Sequence, residues 1–169
     1  LELQYNCKKC KDTGYIETVM CECFKKKLIR NAYSESNLAP ILESQNFDNF
    51  DFKYYSDEKY DSESLSPREN IQRIFEHCIY FVNHFDEIDE NILFYGGTGL
   101  GKTFLSSCIA KDLLDKGKTV FYESAYKIFD ILENHKFNKS QDIDDKHQID
   151  RFLNCDLLII DDLGSEFIN

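Results

Sequence analysis

Eight consecutive residues, Gly96-Gly97-Thr98-Gly99-Leu100-Gly101-Lys102-Thr103, constrain this chain more than any other feature. They fit the pattern G-x-x-x-x-G-K-[ST] at every fixed position. An apolar tetrad, Ile92-Leu93-Phe94-Tyr95, comes just before them and reads as a short buried strand. Helix-forming residues follow from Lys102 to about Asp115, where Gly117 ends the run. Strand, glycine loop and helix in that order make an α/β layer fold. The glycines let the backbone wrap close to phosphate oxygens with its amides turned inward. The helix adds unsatisfied N–H groups and the positive end of its dipole. Lys102 would then reach β- and γ-phosphates, and the Thr103 hydroxyl would serve a magnesium ion. The whole octad, Gly96, Gly97, Thr98, Gly99, Leu100, Gly101, Lys102 and Thr103, is the expected nucleotide-contacting set.

A second segment supplies what such a loop needs. Leu157-Leu158-Ile159-Ile160 reads as a buried strand with Asp161 and Asp162 at its C-terminal end. Ligands of parallel sheets bind at those strand ends. Asp161 is expected to hold Mg²⁺, directly or through water, and Asp162 to orient or deprotonate an attacking water. On its own this would be an ordinary acidic turn; downstream of the glycine loop it completes a constellation. Lys102, Asp161 and Asp162 are the catalytic candidates, and Thr103 and Asp161 the magnesium ligands. Together the two motifs specify Mg-ATP binding and hydrolysis. GTP is disfavoured, since no N-K-x-D sequence for base recognition occurs.

The segments between these motifs alternate helix and strand signals. Ser66-Pro67-Arg68-Glu69 is a helix start: serine caps, proline tolerates the first position, and glutamate three residues on closes a capping box. Ile71, Ile74, Phe75, Cys78, Ile79, Val82 and Phe85 then recur at helical spacing. Thr119–Tyr122 reads as a strand, and Ser124 as the cap of a helix carrying Ala125, Ile128, Phe129 and Leu132. Asn138–Asp145 is polar, and Ile149, Phe152 and Leu153 mark a short helix. The order helix-β-α-β-α-α-β predicts a mainly parallel sheet flanked by helices.

Seven cysteines, four of them by position 23, demand a separate account. The count is odd and residues 1–30 hold no apolar core of a secretory signal, which predicts a reducing, cytoplasmic setting and not a disulfide framework. Cys7-Lys-Lys-Cys10 and Cys21-Glu-Cys23 form two close pairs, suited to a tetrahedral zinc site, with Gly14 helping the chain reverse between them. Ordinary reduced thiols, or an iron–sulfur cluster in the same geometry, are the alternatives. Lys8, Lys9 and Lys11 would offset the negative charge of a Zn(Cys)₄ unit. In so short a segment the metal would stand in for a core. Cys78, Cys108 and Cys155 read as small core residues. His77, His84, His135 and His147 show no ligand spacing.

Charge divides along the same line. The net charge is −11, but residues 1–30 carry +3 and residues 31–169 carry −14. An acidic body argues against bulk attraction to nucleic acid. Lys25-Lys26-Lys27 with Arg30, on an expected helix, offers either a local backbone contact or a solvated face. No apolar run reaches the ~18 residues of a membrane span. Three zones result: a cysteine-rich module with a basic helix at 1–33, an aromatic and acidic linker at 34–66, and an ATPase part at 67–169. In the linker, Phe47 or Phe50 could meet an adenine ring; packing on the following helix is the preferred reading.

Taken together, these motifs resemble a family. Cys-x-x-Cys-Lys-Asp-Thr-Gly-Tyr-Ile, Cys-x-Cys-Phe-Lys, Phe-Asp-Asn-Phe, the glycine loop and Leu-Ile-Ile-Asp-Asp-Leu-Gly-Ser-Glu look like the DnaC/DnaI group of AAA+ helicase loaders, in the variant of Gram-positive bacteria and their phages. IstB-like transposition helper ATPases share the ATPase half. The resemblance implies an ATP-binding protein that associates with the replicative hexameric helicase, places it on single-stranded DNA, and self-associates through the AAA+ domain. It implies Walker A roles for Lys102 and Thr103 and a Walker B pair in Asp161 and Asp162; Glu166 is left without an assigned role. It also implies a five-strand core in the order 5-1-4-3-2, of which these residues supply strands 1, 2 and 3, so that the sheet is truncated after the Walker B strand. Sensor 1, the arginine finger and sensor 2 would then lie beyond Asn169, and these residues alone would be poorly stable and hydrolyse ATP weakly, if at all. A transposition helper, a P-loop kinase with a zinc insert and a zinc adaptor are the competing readings; the cysteine cluster favours the loader.

Overall fold

A computed structural model describes residues 5–35, 39–60, 62–136 and 143–164. The chain divides into two compact units: residues 40–113 form one, and residues 1–39 with 114–169 form the other.

In the second of these, a two-stranded antiparallel hairpin pairs β1 (Tyr15–Ile16) with β2 (Val19–Met20), Tyr15 opposite Met20 and Ile16 opposite Val19. Gly14 enters it at φ +80°, and a Cβ there would lie 3.1 Å from Cγ of Phe24, so both backbone and space require glycine. The helix α1 (Glu22–Glu35) follows. Lys25, Lys26 and Lys27 are exposed on it, while the side chain of Arg30 lies outside the described residues. A short helix α2 (Ala39–Leu42) comes next in the chain.

Residues 40–113 are organised around aromatic packing. Two 3₁₀ turns, Phe47–Asn49 and Phe52–Tyr54, are capped by the side chains of Asn46 and Asp51. They lay Phe47, Phe50 and Phe52 on Phe75 of α3 (Pro67–Asn83), with ring centroids 5.3, 5.1 and 5.1 Å away. The linker aromatics thus pack on the helix that follows them. α3 starts with the expected capping box, Ser66 Oγ accepting from the Glu69 amide and Glu69 accepting from the Ser66 amide. The Ser66 amide holds the Glu69 carboxyl below its usual pKa. Ile71, Cys78, Phe81 and Val82 are buried.

Among the described residues, α4 (Lys102–Asp115) is the most buried helix. Leu105, Ser107, Cys108, Ile109, Ala110, Leu113 and Leu114 are all covered, on more than one face, as expected of a helix inside a layered fold. Burial pushes the Cys78 and Cys108 thiols up to about 12, so both are inert core groups; Cys155, half-buried, is raised as well. Gly117, at φ +84°, ends α4 by returning its amide to the Leu114 carbonyl.

The parallel sheet pairs β3 (Val120–Ser124) with β4 (Leu157–Asp161), in register from Val120 opposite Leu157 to Ser124 opposite Asp161. The crossover runs through α5 (Ala125–Lys136) and α6 (Ile143–Asn154), which pack on each other, with α5 against both strands. Ile128 and Ile131 of α5 and Ile149 of α6 are buried. Phe129 and Leu132, expected on that buried face, are 49% and 36% exposed, because the covered stripe runs through Ala125, Ile128 and Ile131 instead. Ser124 Oγ accepts the Lys127 amide at 3.4 Å, the expected capping contact. Of the polar stretch Asn138–Asp145, residues 138–142 lie outside the described residues and the rest begins α6.

One expected strand does not form. Ile92–Tyr95 joins no ladder with any described residue, and Leu93 and Tyr95 are 70% and 89% exposed. A strand exists only as a relation between two backbones. The described residues supply no backbone partner for this segment. No helix among the described residues is long and apolar enough to cross a membrane.

Candidate functional site

The glycine loop lies in residues 40–113. Gly96, Gly99 and Gly101 have φ of +130°, +77° and +87°, values at which a side chain is strained. Lys102 opens α4, and its ammonium donates to the carbonyls of Gly96 at 3.1 Å and Gly97 at 2.7 Å. An ammonium carries three N–H groups. Two tie the lysine across its own loop, leaving the third for an anion. The Leu105 amide returns to the Gly101 carbonyl at 2.9 Å, so α4 is regular from its first turn. Thr98, Leu100 and Thr103 are exposed. Loop amides, helix start and bridging ammonium together suit a polyphosphate.

Asp161 and Asp162 lie in the other unit, at the C-terminal end of β4. Both oxygens of Asp161 are engaged: Oδ2 accepts from Tyr122 Oη at 2.6 Å, and Oδ1 accepts from the Asp162 amide at 3.0 Å. Asp162 sits at φ +54°, a left-handed conformation that aspartate tolerates better than most residues. Both residues thus stand where the strand ends and the chain turns. Glu166 lies outside the described residues.

The four N-terminal cysteines converge. Their sulfurs all lie within 4.8 Å of one another, with Cys7 to Cys21 at 3.9 Å and Cys10 to Cys23 at 3.4 Å. These separations are far above the ~2.05 Å of a disulfide. They approach the ~3.8 Å expected between ligands of a tetrahedral Zn–S site with ~2.3 Å bonds. Cys10 and Cys21 are buried; Cys7 and Cys23 are partly exposed. Asp12 shapes the first turn by accepting the amides of Asn6 and Cys7. The Cys7 thiol is lowered to about 6, chiefly by backbone hydrogen bonding from Cys10, whereas Cys23 is raised to about 12, chiefly by its contact with the Cys10 thiol. Protons are therefore shared unequally within the cluster. Four thiolates this close require a cation among them. Thiolate donors suit zinc or iron, and the spacing is that of ligands on one tetrahedral ion, tighter than a cluster of several irons would hold them.

Comparison with known proteins agrees with the loop. The chain matches the IstB-like ATP binding proteins over residues 8–168. It belongs to that family. The matched span includes the whole glycine loop, Asp161 and Asp162, and three of the four clustered cysteines. The chain is also similar to chromosomal replication initiator proteins DnaA. The one from Aliarcobacter butzleri is 36% identical over 77 residues, 45% of this chain and 17% of the relative. That from Wolinella succinogenes is 38% identical over 72 residues, 43% and 16% respectively. That from Campylobacter jejuni subsp. jejuni serotype O:23/36 is 33% identical over 85 residues, 48% and 18%. The chain thus spans about one sixth of the length of these curated relatives. No solved structure matches it.

Four side chains make contacts that had no signature in the sequence. Tyr122 holds Asp161. Thr119 and Asp156 clamp the start of the sheet, Asp156 Oδ2 accepting the Thr119 amide at 2.7 Å and hydroxyl at 2.6 Å. Tyr55 donates to the Leu100 carbonyl inside the glycine loop. Strand alternation could have put Tyr122 and Asp161 on one face, had the register been known. Nothing in the spacing connects Tyr55 with a loop 45 residues away.

Proposed function

We propose that this is an ATP-binding protein of DNA replication that loads the replicative helicase onto single-stranded DNA. The observation that carries the reading is the convergence of four thiols in a chain that also holds the glycine loop of an IstB-like ATP-binding family. The similarity to replication initiators supports a place in replication.

In this reading, loop amides and Lys102 hold the triphosphate, Thr103 and Asp161 hold Mg²⁺, and Asp162 orients or deprotonates water. Cys7, Cys10, Cys21 and Cys23 hold a zinc ion, whose role is to crosslink a segment with little core. The zones 1–33, 34–66 and 67–169 then correspond to a metal-binding head that meets the helicase, a connecting strap, and the AAA+ part that binds nucleotide and single-stranded DNA and self-associates. The setting is the cytoplasm.

Co-purification with the replicative helicase tests this reading. The protein carrying intact cysteines is expected to retain the helicase and Cys7→Ser to release it; no retention by the intact protein sinks the loader. A transposition helper ATPase is the second reading, favoured by the family match itself. It predicts binding to a transposase and none to the helicase.

A further inference from the structure

The strap at residues 47–55 reaches further than the helix it covers. Tyr55 Oη donates to the Leu100 carbonyl at 3.1 Å. An ideal Cβ on Gly101 would fall 2.5 Å from the same oxygen, so the tyrosine hydroxyl occupies the space that any side chain at Gly101 would need. Phe50, stacked on Tyr55 at 6.0 Å, also meets Phe104 in the first turn of α4 at 5.5 Å. The strap is itself anchored to the start of α3: Arg68 Nε donates to the Tyr55 carbonyl, and the Arg68 amide to the Ser56 carbonyl, both at 3.1 Å.

We infer that Tyr55 is a positioning residue for the nucleotide loop, its hydroxyl fixing the Leu100–Gly101 peptide so that the Gly101 amide is preset for phosphate. The inference rests on the reading of Gly96–Thr103 as a nucleotide site. The reason is peptide geometry. In a trans peptide the C=O and the following N–H point to opposite sides. Holding the Leu100 oxygen on the strap side therefore aims the Gly101 N–H away from the strap. At φ +87° glycine has wide conformational freedom, so without a tether this peptide would sample other orientations. Fixing it beforehand removes part of the ordering cost of binding. Lys102 restrains the opening of the same loop through Gly96 and Gly97, and Tyr55 restrains its far end.

The test is Tyr55→Phe, which keeps the ring and its packing and deletes only the hydroxyl. Tyr54→Phe, at an 80% exposed ring, is the control. Two measurements on the full chain decide the matter: amide hydrogen exchange across residues 96–103 without nucleotide, and titration with a fluorescent ATP analogue in Mg²⁺. Tyr55→Phe is expected to speed exchange in the loop and to weaken analogue binding roughly three- to tenfold, the scale of one lost hydrogen bond. The thermal midpoint without nucleotide should stay as in Tyr54→Phe. Unchanged exchange, or unchanged affinity, overturns the inference, as does a fall in the midpoint large enough to account for the lost binding. Failure of the nucleotide reading shows differently: the unaltered chain and Lys102→Ala would then both fail to bind the analogue.

Discussion

Tyr122 Oη donates a 2.6 Å hydrogen bond to Oδ2 of Asp161, reaching diagonally across two paired strands. Tyr122 stands opposite Ile159, and Ser124 opposite Asp161, so alternation puts Tyr122 and Asp161 on one face of the sheet. With the Asp162 amide on Oδ1, the carboxylate is held at both oxygens. Tyr122→Phe removes one donor and leaves the strand packing in place. A hydrogen bond to a charged group contributes about 1.5–3 kcal/mol. If Asp161 serves Mg²⁺, the concentration of Mg²⁺ needed for half-maximal ATP binding should rise about tenfold, with metal-free ATP binding unchanged. Titrating Mg²⁺ at fixed ATP analogue checks this; an unchanged requirement separates Tyr122 from the metal.

Metal content gives a second expectation. Protein purified without chelators should carry one zinc per chain by elemental analysis. Cys10→Ser and Cys21→Ser should lose it, and Cys155→Ala should keep it, because Cys155 lies outside the cluster. Thiols must deprotonate to bind, so acidification should release the metal. Stripping it should speed hydrogen exchange in the β1–β2 hairpin. Iron with visible absorbance would instead select the iron–sulfur reading, and an absence of metal would leave the cluster a set of reduced thiols.

A third concerns acid stability. Burial works to raise the pKa of Asp156, but hydrogen bonds from the Thr119 hydroxyl and amide outweigh it, and the carboxyl is held below its usual value. A depressed folded pKa stabilises the fold above the unfolded value of about 3.9, and that contribution disappears as pH falls through the folded value. Asp156→Asn should therefore cost stability at pH 7, at most about 1 kcal/mol because the residue is exposed. The difference should be smaller near pH 3 than at pH 7. Urea unfolding at both values measures this, and an equal difference at both would remove the carboxylate from the explanation.

Much of the local structure was legible beforehand. Ser66, Pro67 and Glu69 announced α3, because a capping box is satisfied within four residues. Gly117 announced the end of α4 for a similar reason. Leu157–Ile160 was correctly read as a strand, since a partner, β3, lies nearby in the fold. Ile92–Tyr95 has the same apolar look and no ladder among the described residues. Apolar pattern reports a wish for burial, and it cannot supply the neighbour that makes a strand.

The same contrast runs through the site. The amino-acid sequence by itself determined the glycine loop, the helix behind it and the two cysteine pairs, because each depends on residue types at short, fixed spacings. Only the tertiary structure decided that the two pairs meet within 4.8 Å, that Tyr122 holds Asp161, and that Tyr55 reaches Leu100. Those contacts join residues 11 to 45 positions apart. Their existence depends on strand register, on the hairpin that Gly14 enters and on how the aromatic strap lies on α3, which chain folding sets and local spacing does not.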